Sequence, residues 1–251
     1  PDLNKPVINV LKRVVSYFIS MIVSDDVGAS FTPFVKSTEE ERNGKILSDA
    51  VDEVIESANI KALTREIIRD AAVDGDGFLY LYFDPNAETG QAAKGRIKAE
   101  ILQNVNVMYG NPYSDDLQSQ PYVILSMRKY LDSVKLEAEE YGQSTDNIRS
   151  DSDSNQYDVA NKAQDNLVTV LIKLWKEGER VYAIKCTENA VIRPAWDTGN
   201  SLYPIACMRW ERIKNSYHGQ AAITAMIPNQ ISINQLFAMA LHSVKATAFP
   251  K

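Results

Sequence analysis

Six residues, Phe78 to Phe83, alternate aromatic and aliphatic side chains without a single charge, directly behind the run Asp74-Gly75-Asp76-Gly77. Such a stretch is a strand buried on both faces, so the chain must supply cover above and below it. The expectation is an α+β fold in which helices pack on a mixed sheet. Upstream, Ile60, Leu63, Ile67 and Ala71 recur at helical spacing behind Asn59, which reads as a cap, and the stripe stops at the first glycine of the turn.

The flanking sequence fills in that picture. Ser37 and Thr38 stand three residues ahead of Glu40 and Glu41, the spacing of a capping box, and Leu47, Val51, Val54 and Ala58 continue a helix behind it. After the turn chemistry of Asp84-Pro85-Asn86 to Gly90, strands are expected over Arg96 to Leu102, Val105 to Tyr109 and Tyr122 to Tyr130, broken by Gly110-Asn111-Pro112. Leu131, Val134, Ala138 and Tyr141 mark a short helix ended by Gly142, whose missing Cβ suits a left-handed cap. Leu167 to Trp175 and Arg180 to Thr187 read as a hairpin joined at Glu177-Gly178-Glu179, and Tyr203 to Arg212 as a third strand. Gly219 opens a short apolar helix. Pro228 then precedes a long helix, Asn229 to Thr247, with Ile233, Phe237, Ala240, Leu241 and Val244 on one seam and Asn234, Gln235, His242 and Lys245 opposite.

With 45% hydrophobic and 24% charged residues over 251 positions, the chain can bury a real core as one large domain or two modest ones. Val7 to Val23 is apolar but contains Lys12 and Arg13 and places Val7, Val10, Val14, Phe18 and Met21 at helical spacing, so it reads as an amphipathic helix and not a membrane span. The chain opens at Pro1 with no cleavage site behind a basic head, and it reads as an excerpt of something longer. Two cysteines, Cys186 and Cys207, can neither staple a scaffold of this size nor build a four-thiolate zinc site, which points to a reducing compartment and no metal framework.

The formal charge of −6 is unevenly spread. Leu131 to Ala160 holds eight acids against two bases, whereas Asn161 to Lys251 holds eleven bases against six acids, a net of +5. Most of the acidic middle, Gly142 to Asn166, is rich in Ser, Asp, Asn and Gln with little apolar periodicity, so it is expected to be a mobile surface loop.

Motifs for chemistry fail on inspection. A calcium loop starting at Asp74 would need an oxygen ligand at Phe78 and a glutamate at Pro85; one starting at Asp151 meets Gln156 at the glycine position and Lys162 at the bidentate position. Only His218 and His242 could act as imidazole bases, and no orienting acid stands at a recognisable spacing, so a satisfied structural role is expected for each. No catalytic residue, cofactor site or metal ligand is assigned. The cluster Arg209-Trp210-Glu211-Arg212-Ile213-Lys214 could track a phosphate backbone while a base stacks; on a strand, Trp210 could equally be core with Arg209 and Glu211 facing water.

Three segments carry a resemblance: "LTREIIRDAAVDGDGFLYLYFDP" (Leu63 to Pro85), "NVNVMYGNPYSDDLQSQPYVILSMRKYLDSVKLEAEEYG" (Asn104 to Gly142) and "YPIACMRWERIKNSYHGQAAITAMIPNQISINQLFAMALHSVKATAFPK" (Tyr203 to Lys251). Their order and pattern resemble the portal proteins of tailed bacteriophages and prophages, the head-tail connector family. The resemblance implies a ring homo-oligomer, commonly a dodecamer, at one capsid vertex of the virion. Such a ring passes double-stranded DNA, receives the terminase motor and tail or head-completion proteins, sits among capsid and scaffolding proteins, and is not an enzyme. It implies a wing-like α+β part over residues 1–130, the short helix and acidic loop over 131–166, a β-rich segment over 167–214 and a stem-type helix over 215–251, with a crown beyond. The apolar seam then makes Ile233, Phe237, Leu241 and Val244 candidates for a subunit interface. Charge alone makes Arg209, Arg212, Lys214 and Lys245 candidates for transient DNA contact. The rival expectations are a nucleic-acid-binding module using the basic C-terminal part and an α+β enzyme whose site escapes the reading.

Overall fold

The computed structural model describes residues 7–23, 28–34, 37–88, 94–151 and 166–248. Among them lie helices α1 (Val10–Ile22), α2 (Thr38–Ser57) and α3 (Ile60–Asp74), then strands β1 (Asp76–Asp84), β2 (Arg96–Leu102), β3 (Val107–Tyr109) and β4 (Tyr122–Tyr130). Helix α4 (Leu131–Glu140) follows, then β5 (Leu167–Glu177), β6 (Arg180–Cys186), β7 (Val191–Asp197), β8 (Ile205–Arg209), β9 (Glu211–Arg212), β10 (Gly219–Gln220) and the long α5 (Ile227–Ala248). The fold is α+β, as expected, but among the described residues every strand pairing is antiparallel, so the sheet is not mixed.

The strand that constrains the fold is central in a three-stranded antiparallel sheet ordered β2-β1-β8. Asp76 through Tyr80 are all buried, because α3 covers one face and a second sheet covers the other. Full burial ends there: Leu81 and Tyr82 are half-buried and Phe83 is 61% exposed, since α3 does not reach the hairpin tip. Gly77 marks the closest approach of helix and sheet, where a Cβ would meet the Ile67 carbonyl oxygen at 2.6 Å.

The second sheet has five antiparallel strands in the order β3-β4-β5-β6-β7. Its inward residues Val123, Leu125, Ile172, Leu174, Val181 and Ala183 form the main core with Phe78, Tyr80, Leu102 and Ile205 of the first sheet. At the far end of this sheet, α4 buries Val134 and Ala138 against Val168, Val170 and Ile192. A third cluster sets Val15 and Ile19 of α1 on Ile68 and Ala72 of α3, with Trp210 packed against them. The pairings β4 with β5 and β1 with β8 span the boundaries expected near residues 130 and 167, so strands on both sides of the acidic middle share sheets.

Several expectations are corrected. The first ten residues of the supposed mobile loop are fixed: Ile148 is 2% exposed in the α4 core, and the Asp151 carboxylate accepts from the Thr169 N–H at 2.8 Å and pairs with Arg128 at 2.9 Å. The rest of that expectation falls on residues 152–165, outside the described residues. On α1 the buried positions are Val15 and Ile19, while Val7 and Met21 are exposed, because the true stripe runs one position off the pattern chosen from the sequence. Ser37 begins α2 without a side-chain cap bond, and Asn59 sits in the left-handed region (φ 54°) as the joint between α2 and α3. Gly219 opens not a helix but the two-residue strand β10; a short 3-10 turn, Thr224–Met226, leads from it into α5.

The Gly142 cap is as expected. With φ at 67°, its N–H donates to the Glu139 carbonyl and the Gln143 N–H reaches back to Ala138, the paired bonds of a Schellman end. Gly178 likewise turns the β5–β6 hairpin with φ 63°.

Candidate functional site

Helix α5 is the most exposed element of its length. None of its 22 residues is buried, and they include no aspartate or glutamate. Its attachment to the rest of the chain is polar. The Ile8 N–H donates to Asn234 Oδ1 at 3.1 Å, and the Val10 and Leu11 N–H groups both donate to Gln230 Oε1, at 2.9 and 3.2 Å. Gln230 Nε2 donates in turn to the Ile8 carbonyl. With Asn9 accepting from the Lys12 N–H, the opening N–H groups of α1 are satisfied by side chains, two of them from α5.

This arrangement inverts the face expected from the seam. Asn234, assigned to the outer polar side, is half-buried on the chain's own side, together with Gln230, Ala238 and Leu241 at spacings of three and four. Ile233, Phe237 and Val244 point outward with exposures of 41%, 42% and 59%. Leu236 and Met239, outside the predicted seam, are more exposed still, at 66% and 68%. The apolar band is therefore broader than predicted and turned to solvent, with Leu241 at its inner margin.

The basic candidates divide differently. Arg209 is held inside the fold: its Nε donates to the Tyr217 carbonyl at 2.8 Å and its Nη2 to the Asp115 carbonyl at 2.5 Å, with the Tyr109 hydroxyl at 3.4 Å. It is half-buried, and these bonds tie it to the fold. Arg212 is exposed but ion-paired with Asp115, and Lys214 and Lys245 are exposed. Trp210 is half-buried, 5.5 Å from the Phe18 ring, so the core reading of that residue holds.

A polar joint missed in the sequence lies beside Arg209. The side chain of Asp76, fully buried at the start of β1, accepts from the Gly219 N–H at 2.7 Å and lies 2.7 Å from His218 Nδ1. A carboxylate only accepts, so the Nδ1 facing it is the donor. Tyr217 lies 3.9 Å from the His218 ring and stacks on Tyr109 at 4.7 Å. An Asp–His pair can serve as a general base, but among the described residues no hydroxyl or thiol is hydrogen-bonded to Nε2. Burial pushes the thiols of Cys207 and Cys186 above their ordinary range, which suppresses the thiolate needed for nucleophilic chemistry. The pair acts as a clamp that ties the segment leading to α5 onto the start of β1. Its members stand 142 positions apart, and no sequence spacing could have announced them.

Gly75 belongs to the same joint: its φ is 99°, its carbonyl accepts from the Trp210 N–H, and a Cβ there would meet the Gly219 carbonyl oxygen at 2.3 Å. The Asp-Gly-Asp-Gly run is thus a close-packed junction. Among the described residues no cluster of three His, Cys, Asp or Glu side chains could hold a metal, and no helix is long and apolar enough to cross a membrane. Compared with known proteins, the chain matches no family model and no curated sequence.

Proposed function

We propose that this chain is a subunit of a portal-type ring at one vertex of a phage capsid, which conducts double-stranded DNA and anchors tail or head-completion proteins without catalysing a reaction. The observation that carries the reading is α5. A 22-residue helix that turns glutamine and asparagine toward its own chain and Ile233, Leu236, Phe237, Met239 and Val244 toward water leaves an apolar surface of the kind that marks a protein interface. The order of the three segments that resemble portal proteins supplies the kind of assembly. A net charge of −6 suits a conduit, since DNA must slide and dense phosphate neutralisation would hold it.

The deciding experiment is size-exclusion chromatography with light scattering on the full-length protein, followed by negative-stain imaging. A particle of many copies with a central hole is expected; a monomer at micromolar concentration would sink the proposal. Duplex binding should be weak, salt-sensitive and indifferent to sequence. A preference of about tenfold or more, equal to about 1.4 kcal/mol, or tight binding at physiological salt, would favour a DNA-reading module instead.

A further inference from the structure

We infer that neighbouring copies of this chain meet by seating the acidic helix α2 of one copy on the basic, apolar surface formed by α1 and α5 of the next. The inference rests on the ring reading above and names its contact. A ring of more than two copies is built from heterologous contacts, so each chain has to present two different and complementary surfaces.

Helix α2 is one of them. It carries Glu39, Glu40, Glu41, Asp49, Asp52, Glu53 and Glu56 against Arg42 and Lys45, a net of −5, and none of its residues is buried. Among the described residues none of these seven acids is ion-paired. Ile46 and Leu47 stand out of it at 55% and 48% exposure, and Phe31 and Phe34 are exposed in the segment that precedes it. A helix that repels itself along its length and buries little is stabilised by an opposite charge laid against it.

The other surface has that charge. Helix α1 carries Lys12 and Arg13, α5 carries Lys245, and neither contains an acid. Lys12 and Arg13 form no ion pair among the described residues, and with Asn9, Ser16, Tyr17 and Ser20 they make up one open face of α1. Gln230 and Asn234 join α1 to α5, whose outward apolar residues supply the partner for Ile46 and Leu47. The lengths agree as well: at about 1.5 Å per residue, α2 with 20 residues and α5 with 22 are both on the order of 30 Å long.

The test uses the full-length protein with paired charge reversals. Lys12→Glu with Arg13→Glu should raise the concentration at half-assembly by about tenfold or more, as should Glu40→Lys with Glu41→Lys, with circular dichroism unchanged. All four changes in one chain should restore most of the loss, because the charges are again complementary. If either pair assembles like the parent, or the combination is no better than the single pairs, the contact is wrong while the ring stands. If the unmodified protein never assembles, both fall. Zero-length carboxyl-to-amine cross-linking of mixed isotope-labelled and unlabelled chains provides a second reading without substitution. Links between Lys12 and Glu39, Glu40 or Glu41 should join labelled to unlabelled chains, and links confined to single chains overturn the inference.

Discussion

Tyr80 reports on the core through its hydroxyl. Burial, with Tyr82 and Glu100 close by, pushes its phenol up to about 12. In the unfolded chain the same group loses its proton near pH 10, so its share of stability is intact below that pH and is lost as pH rises from about 10 to 12. The loss is on the order of 2–3 kcal/mol, since one pKa unit is about 1.4 kcal/mol. Tyr80→Phe should leave urea unfolding near pH 7 little changed and flatten the alkaline decline; an equally steep decline at about pH 11 would contradict the assignment. Burial also raises Tyr109, so some decline should persist. The Asp76–His218 clamp is tested by a double-mutant cycle. Each alanine substitution should cost about 1–3 kcal/mol, with a coupling of at least about 1 kcal/mol between them. Strict additivity would mean the two side chains do not depend on each other.

The segment between α4 and β5 shows how much of an element composition can hide. Seen as a polar stretch, Gly142 to Asn166 offers no periodicity, yet a lone isoleucine at 148 fills the space under α4 and Asp151 fixes the start of β5. Ile148→Ala should cost about 2–4 kcal/mol and lower the melting temperature by roughly 5–15 °C. An unchanged melting curve would show that this leg adds nothing to the core. Strands β2 and β4 are legible to the residue because turn residues bound them, and in β4 buried and half-buried positions alternate. β7 escaped because Arg193-Pro194 reads as a breaker, although an edge strand tolerates proline. β9 and β10, at two residues each, carry no period at all. The clamp and the α5 face were illegible for a different reason: both depend on which distant element a polar side chain finds, and periodicity is silent about partners.

Among the described residues two larger sheets share the main core, beside helices whose surfaces are less completely covered. Leu236→Asp with Met239→Asp should abolish assembly of the full-length protein while circular dichroism keeps its native form, because both side chains are already in water in the single chain. Normal assembly by light scattering would show that the outward band of α5 is not a contact. Leu241→Asp is a poorer probe, since that residue is half-buried on the inner side and a charge there could disturb the subunit itself.

The bonds from Gln230 and Asn234 to the start of α1 also set a clock. Those N–H donors belong to residues 8–11, and their acceptors lie 219 to 226 positions later in the chain. At about 5–20 residues per second, a ribosome delivers the acceptors roughly 10–45 s after the donors have been synthesised. For all that interval α1 lacks the α5 side chains that finish its N-terminus, although Ile68 and Ala72, on which its apolar stripe packs, are made much sooner. During synthesis α1 can therefore settle on α3 well before its N-terminus is sealed, and the arrival of α5 is what completes it.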